Sequence, residues 1–118
     1  MIIGCLPEKD DNENRVMILP ESLKLFSSMG FEIYLPFKYA VKLNIEDELY
    51  ELSGANFLDE KEISKKSDII LKISEKNIED YNFKDAAKII ICFFDNSNEK
   101  IIKFIKEKKI DVFSLNSL

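Results

Sequence analysis

The only arginine of this 118-residue chain, Arg15, stands in the stretch NENRVMILP (12–20), while the other sixteen cationic side chains are lysines. A guanidinium is planar and grips a carboxylate or phosphate at two points, whereas an ammonium acts as a point charge. Lys72 is a second candidate, because it interrupts the apolar run DIILKI (68–73), and a buried ammonium needs a partner. Asp95 and Asn98, in FDNSN (94–98), follow another apolar run. An arginine and a lysine converging on one crevice would hold a small carboxylate or a phosphate. Plainer roles stand beside these. Arg15 would pair with Glu8, Glu13 or another acid of its own loop, a surface bridge worth about 0–1 kcal/mol. Lys72 would carry its charge out to water along its stem. Asp95 and Asn98 would start the helix that follows.

The missing residue types narrow the chemistry further. There is no histidine, which excludes a Ser-His-Asp or Cys-His nucleophile, an imidazole general base and any histidine-containing metal site. Cys5 and Cys92 lie within apolar runs and read as buried, reduced thiols that pack; they make neither a disulfide framework nor a zinc site. The three glycines are isolated, so no G-x-G-x-x-G, Walker A or calcium loop is present.

These side chains need elements to place them. MIIGC (1–5), FEIYLP (31–36), ANFLD (55–59), DIILKI (68–73), KIIICFF (88–94) and DVFSL (111–115) read as strands. DIILKI and KIIICFF are unbroken apolar runs, as central strands covered on both faces require. Helices are expected over 20–30, with Pro20 first and Gly30 last, and over 44–54, with Asn44 as cap and Gly54 as stop. The expected inward faces are Leu23, Phe26 and Met29 on the first and Ile45, Leu49 and Leu52 on the second. A short helix over 60–66 has Asp59 and Glu62 at capping spacing, and an amphipathic one covers 98–109. SEKNIEDYNFKDA (74–86) reads as a polar loop with a helical turn.

Strand–helix alternation means a mainly parallel sheet with helices on both faces, an α/β flavodoxin-like or Rossmann-like three-layer sandwich. Ligands of such sheets bind at the carboxyl ends of the strands. That is where the loop 6–19 with Arg15, the end of DIILKI with Lys72, and FDNSN with Asp95 and Asn98 fall. With 46% hydrophobic residues the chain suits one domain, and its net charge of −5 without a basic stripe argues against nucleic acid. Neither a signal peptide nor an apolar run of about 18 residues is present, so the chain reads as soluble. Ending just after its last strand, it reads as part of something longer.

Four stretches together resemble a known family. Residues 1–36, ELYELSGANFLD (48–59), SDIILKI (67–73) and the segment 88–118 resemble, in order and spacing, the N-terminal domain shared by alanine dehydrogenase and the proton-translocating NAD(P) transhydrogenase alpha subunit. The resemblance implies a single domain, 1–118, whose NAD-binding Rossmann domain lies outside this chain. In alanine dehydrogenases the matching arginine and lysine hold the substrate carboxylate and carbonyl, which implies substrate-binding roles for Arg15 and Lys72. That branch has a catalytic histidine where this chain has Asp95.

The transhydrogenase branch needs no such acid and carries an asparagine where Asn98 stands. Its hydride passes from NADH to NADP⁺ on a partner domain, coupled to proton movement across a membrane. The resemblance then implies NAD(H) bound mainly outside this chain, the membrane and NADP-binding domains as partners, a homodimer, and a soluble domain on the cytoplasmic or matrix-side face. A diverged alanine dehydrogenase and a stand-alone, non-enzymatic binding domain are the alternatives. One departure concerns both branches: the family's glycine-rich loop after the second strand is replaced by FKYAVKLN (37–44).

Overall fold

The computed structural model describes residues 1–83, 88–94 and 98–115. Each apolar run expected to be extended forms a strand: β1 (Ile2–Cys5), β2 (Glu32–Leu35), β3 (Ala55–Phe57), β4 (Ile69–Ser74), β5 (Ile89–Phe93) and β6 (Asp111–Ser114). All neighbours pair parallel, in the order β3-β2-β1-β4-β5-β6. The chain therefore winds outward from β1 in one direction, then returns to β4 on its other side. The crevice above β1 and β4 is the switch point of this Rossmann-like sheet.

Helices α1 (Pro20–Ser28) and α2 (Asp47–Leu52) cover one face; α3 (Glu60–Lys66) and α4 (Glu99–Lys108) cover the other. Ile3, Cys5, Ile33 and Leu35 of the sheet pack with Leu23 and Tyr50 of the first pair. Ile70, Ile90 and Cys92 pack with Ile63 and Ile101 of the second. Both cysteines are buried and free, as their apolar surroundings suggested. A 3-10 turn at Ile78–Asp80 supplies the helical turn expected in the loop after β4, of which residues 84–87 lie outside the described residues.

Local chemistry explains the boundaries. Pro20 opens α1, and Gly30 (φ +93°) and Gly54 (φ +110°) stand in the left-handed region that ends α1 and α2. The Asp59 carboxylate accepts from the Glu62 N–H at 2.9 Å and caps α3. Gly4 serves a different need. A Cβ there would collide with the Ser67 hydroxyl and the Ile63 side chain, so its absence lets α3 lie close on β1.

The second helix differs from expectation. It spans 47–52 instead of 44–54, after a 3-10 turn at Val41–Leu43 that Asn44 closes in a left-handed conformation (φ 58°). Ile45 precedes the helix, so the apolar spacing counted from it was not helical. Tyr50 turns inward, fully buried, while Leu49 and Leu52 are 51% and 85% exposed. The Tyr50 hydroxyl donates to the Ile18 carbonyl at 2.8 Å, and its ring stands edge-on to Tyr39. On α1, Leu23 is buried but Met29, the residue that caps the helix, is exposed. Away from the crevice, Lys88 is buried just before β5, where its ammonium donates to the Ser64 carbonyl at 3.0 Å and to the Ser67 carbonyl.

Candidate functional site

At the carboxyl ends of β1 and β4 a cleft of about 310 Å³ is lined by both Arg15 and Lys72. The loop after β1 supplies Arg15 and three acids, Glu8, Asp10 and Glu13. Strand β4 supplies Lys72 through an irregularity: Leu71 pairs with Ile91 but Ser74 with Phe93, so three steps along β4 match two along β5. Such a bulge carries one unpaired residue and re-aims its neighbours. Here it leaves the Ile73 and Ser74 N–H groups for the Glu8 carboxylate, at 3.2 and 3.0 Å.

The same carboxylate takes the lysine. Lys72 Nζ donates to Glu8 Oε1 at 3.0 Å and to the Ser74 carbonyl at 2.9 Å. The Lys72 and Glu8 side chains are only 1% and 9% exposed. Lys72 thus does not snorkel to water; it is buried and satisfied from within the chain. Removing one partner of such a pair strands the other charge, at a cost of about 3–5 kcal/mol.

Arg15 is held differently. Its Nε and Nη2 donate to the Glu13 carboxylate at 3.0 and 2.8 Å, and its backbone N–H to the same group at 3.1 Å. Among the three partners weighed from the sequence, Glu13 takes it, and Glu8 goes to Lys72 instead. The Arg15 side chain remains 62% exposed, so this fork is a solvent-screened surface pair that contributes little to stability. Its guanidinium lies 5.2 Å from the Phe93 ring centroid, reaching from the loop after β1 across β4 to the end of β5. The hydrogen bonds from Arg15 hold the Glu13 carboxyl down at about 2, and Glu13 in turn raises the Arg15 guanidinium.

The rest of the cleft is also paired. Lys9 reaches Glu60 at 2.9 Å and Lys76 lies 3.9 Å from Asp10. Glu75, buried with 5% exposed, adds a further acid to the cleft lining, close enough to Cys92 to act on its thiol. Burial pushes the Cys92 and Cys5 thiols up to about 12, so both stay protonated and pack without reacting. Among the described residues no group of acids and thiols is placed to hold a metal ion.

The segment FKYAVKLN (37–44) is fixed by its side chains and by Asp47 of α2. Lys38 adopts a left-handed conformation (φ 62°), and its N–H donates to both Asp47 oxygens at 3.1 and 3.0 Å. The Lys42 ammonium reaches the carbonyls of Asp10, Asp11 and Glu13 at 3.3 to 3.4 Å. The Tyr39 hydroxyl accepts from the Met17 N–H at 3.0 Å. The segment therefore clamps the loop that carries Glu13 and Arg15.

Asn98 caps α4, its side chain accepting from the Ile101 N–H at 3.3 Å, and it is not among the residues lining the cleft. Asp95 lies outside the described residues. Sequence reasoning missed Phe93, Glu75 and the pairing of Glu8 with Lys72. Only the last had a signal, a lysine inside an apolar run with an acid just past the neighbouring strand.

The cleft does not fit the phosphates of a dinucleotide. A pyrophosphate cradle needs a tight glycine turn leading straight into a helix N-terminus. Here Leu6-Pro7-Glu8 follows β1, α1 begins only at Pro20, and the acids Glu8 and Glu13 face the space.

The parallel sheet with its cleft at the switch point is a Rossmann-like α/β fold shared with solved dehydrogenase domains. The chain belongs to the family "Alanine dehydrogenase/PNT, N-terminal domain", whose model matches residues 4–118. The NAD(P) transhydrogenase subunit alpha of Haemophilus influenzae is 27% identical over 119 residues, covering 100% of this chain and 23% of its own length. The alanine dehydrogenase of Methanococcus maripaludis is 29% identical over 112 residues, covering 93% of this chain and 30% of its own. Among solved structures, the transhydrogenase from Sinorhizobium meliloti superposes with a TM-score of 0.83 at 27% identity, over 97% of this chain and 34% of that one. An L-alanine dehydrogenase superposes at 0.88 with 16% identity, over 97% and 32%, a likeness of fold alone. The chain spans less than a third of these two curated relatives' length. No helix among the described residues is long and apolar enough to cross a membrane.

Proposed function

We propose that this chain is the N-terminal domain of the NAD(H)-binding alpha subunit of an NAD(P) transhydrogenase, an enzyme that couples hydride transfer between NADH and NADP⁺ to proton translocation. The observation that carries this reading is the state of the two cations: Lys72 is committed to Glu8 and Arg15 to Glu13. Neither stands free for a substrate carboxylate, and no histidine is present to act as its proton donor. A domain with such a cleft suits a flanking role. NAD(H) is bound mainly by another domain of the same subunit, NADP(H) by a partner domain, and residues 1–118 form one unit beside the cofactor on the cytoplasmic or matrix-side face. Alone it is inactive. Isothermal titration of the 118-residue chain with NADH tests this, and binding at micromolar concentration contradicts it.

A second reading, the substrate domain of a diverged alanine dehydrogenase, is favoured by one observation: Arg15 and Lys72 line the same cleft. Arg15→Lys in the intact enzyme separates the two. Loss of amino-acid or 2-oxo-acid affinity selects the dehydrogenase; unchanged hydride transfer selects the transhydrogenase.

A further inference from the structure

Eight of the ten large apolar side chains exposed among the described residues belong to residues 19–52, the stretch that carries α1 and α2; α3 and α4 carry none. A folded chain rarely concentrates apolar surface in this way unless something docks on it. Between α1 and α2 runs a groove of about 540 Å³. It is lined by Leu19, Ile45, Leu49 and Leu52, and on the α1 side by Glu21 and Lys24. Leu52 is 85% exposed, more than any other large apolar residue described. The charges here also differ from those of the cleft, where Lys9, Arg15, Lys72 and Lys76 each meet an acid. Lys24 has no ion-pair partner among the described residues, and neither have Glu46, Glu48 and Glu51 in and just before α2. All four are exposed.

We propose that this groove is a contact between two copies of the chain related by a two-fold axis. Leu52 of each copy packs into the groove of the other, and Lys24 of each copy faces Glu48 of the other. A two-fold contact needs a patch that complements itself. This one carries an unpaired cation on the α1 wall and unpaired acids beside the α2 wall, with leucines between them. The rotation lays each wall against its opposite, giving an apolar centre with a charged rim. Glu48 stands one helical turn before Leu52, so both point to the same side of α2. A nucleic acid or an anionic membrane fits the face poorly, since Glu21, Glu46, Glu48 and Glu51 surround the single Lys24. This inference goes beyond the transhydrogenase reading, which names no self-associating surface on this domain, and it holds whether or not NADH binds.

Sedimentation velocity of the 118-residue chain, from micromolar to near-millimolar concentration in low-salt buffer, tests it. The expected result is a concentration-dependent dimer. Leu52→Asp raises its Kd by roughly tenfold or more, and because Leu52 is 85% exposed the thermal midpoint of the monomer is kept. Lys24→Glu and Glu48→Lys each weaken self-association, since like charges then face each other in both halves of the contact. Mixing these two variants in equal amounts restores the dimer, because every reversed charge now meets its opposite. A chain that stays monomeric throughout overturns the proposal and leaves the transhydrogenase reading untouched. A dimer that none of the three variants weakens overturns it as well, and moves the contact to another surface such as the open edge of β6. A mixture that associates no better than the single variants also overturns it.

Discussion

The Lys72 ammonium lies 3.0 Å from Glu8 Oε1, across a join of two adjacent parallel strands, with the side chains 1% and 9% exposed. The cost of separating them is the cost of a stranded charge. Glu8→Ala therefore destabilises the chain by about 3–5 kcal/mol, measured as a lower urea midpoint. Combining it with Lys72→Met recovers a large part of that loss, because two apolar groups leave no charge behind. A double variant no more stable than Glu8→Ala would show that the pair does not act as a unit.

Tyr50→Phe removes the donor to the Ile18 carbonyl without changing the packed ring. The loss is about 1 kcal/mol, with the buried carbonyl left unpaired. Thermal unfolding at neutral pH measures it. Because Ile18 lies two residues before Pro20, the first residue of α1, faster amide exchange in the first turn of that helix accompanies the lower midpoint.

Glu13 gives a signed pH dependence. Its carboxyl is held from 4.5 down to about 2, chiefly by the hydrogen bonds from Arg15, so folding favours the ionised form. This contribution is full above the ordinary carboxylate value and is lost as pH falls through about 2. Acid titration of stability between those values is flatter for Glu13→Gln than for the parent chain. Added salt reduces the difference, as it must for an exposed pair.

Cys5 and Cys92 are buried with thiols pushed up to about 12. In native buffer at pH 8 neither reacts with a disulfide reagent at the rate of a free cysteine; both do in urea. Fast labelling of one thiol under native conditions would contradict the packing around it.

Gly4→Ala places a methyl against the Ser67 hydroxyl and the Ile63 side chain. Overpacking of this kind costs about 1–3 kcal/mol, read as a lower thermal midpoint. Pairing it with Ser67→Ala relieves part of the clash, which distinguishes a steric cause from a change in the unfolded chain.

How far the sequence reached follows from which contacts were local. Strands β4 and β5 were legible because a parallel strand buried on both faces must be an apolar run. The cap of α3 was legible because Asp59 and Glu62 are three residues apart. The second helix was misjudged because Tyr50 is amphipathic. Its ring packs inward once its hydroxyl finds Ile18, 32 positions away, while Leu49 and Leu52 face water. The cleft was half legible. Lys72 announced itself by its surroundings, but its partner is 64 positions away and reaches it through a bulge, which no periodicity encodes. Arg15 stood out by composition, and its partner was found two residues upstream.

The grip of Lys42 on the loop after β1 is made wholly to main-chain oxygens, those of Asp10, Asp11 and Glu13. Such a clamp is blind to side chains. The residue at position 11 can drift without loosening this grip, whereas the side chains of Asp10 and Glu13 also fasten the loop by accepting from the Asn12 and Arg15 N–H groups. The main-chain clamp thus keeps one support constant whatever stands at position 11, while a change at position 10 or 13 trades away a second one.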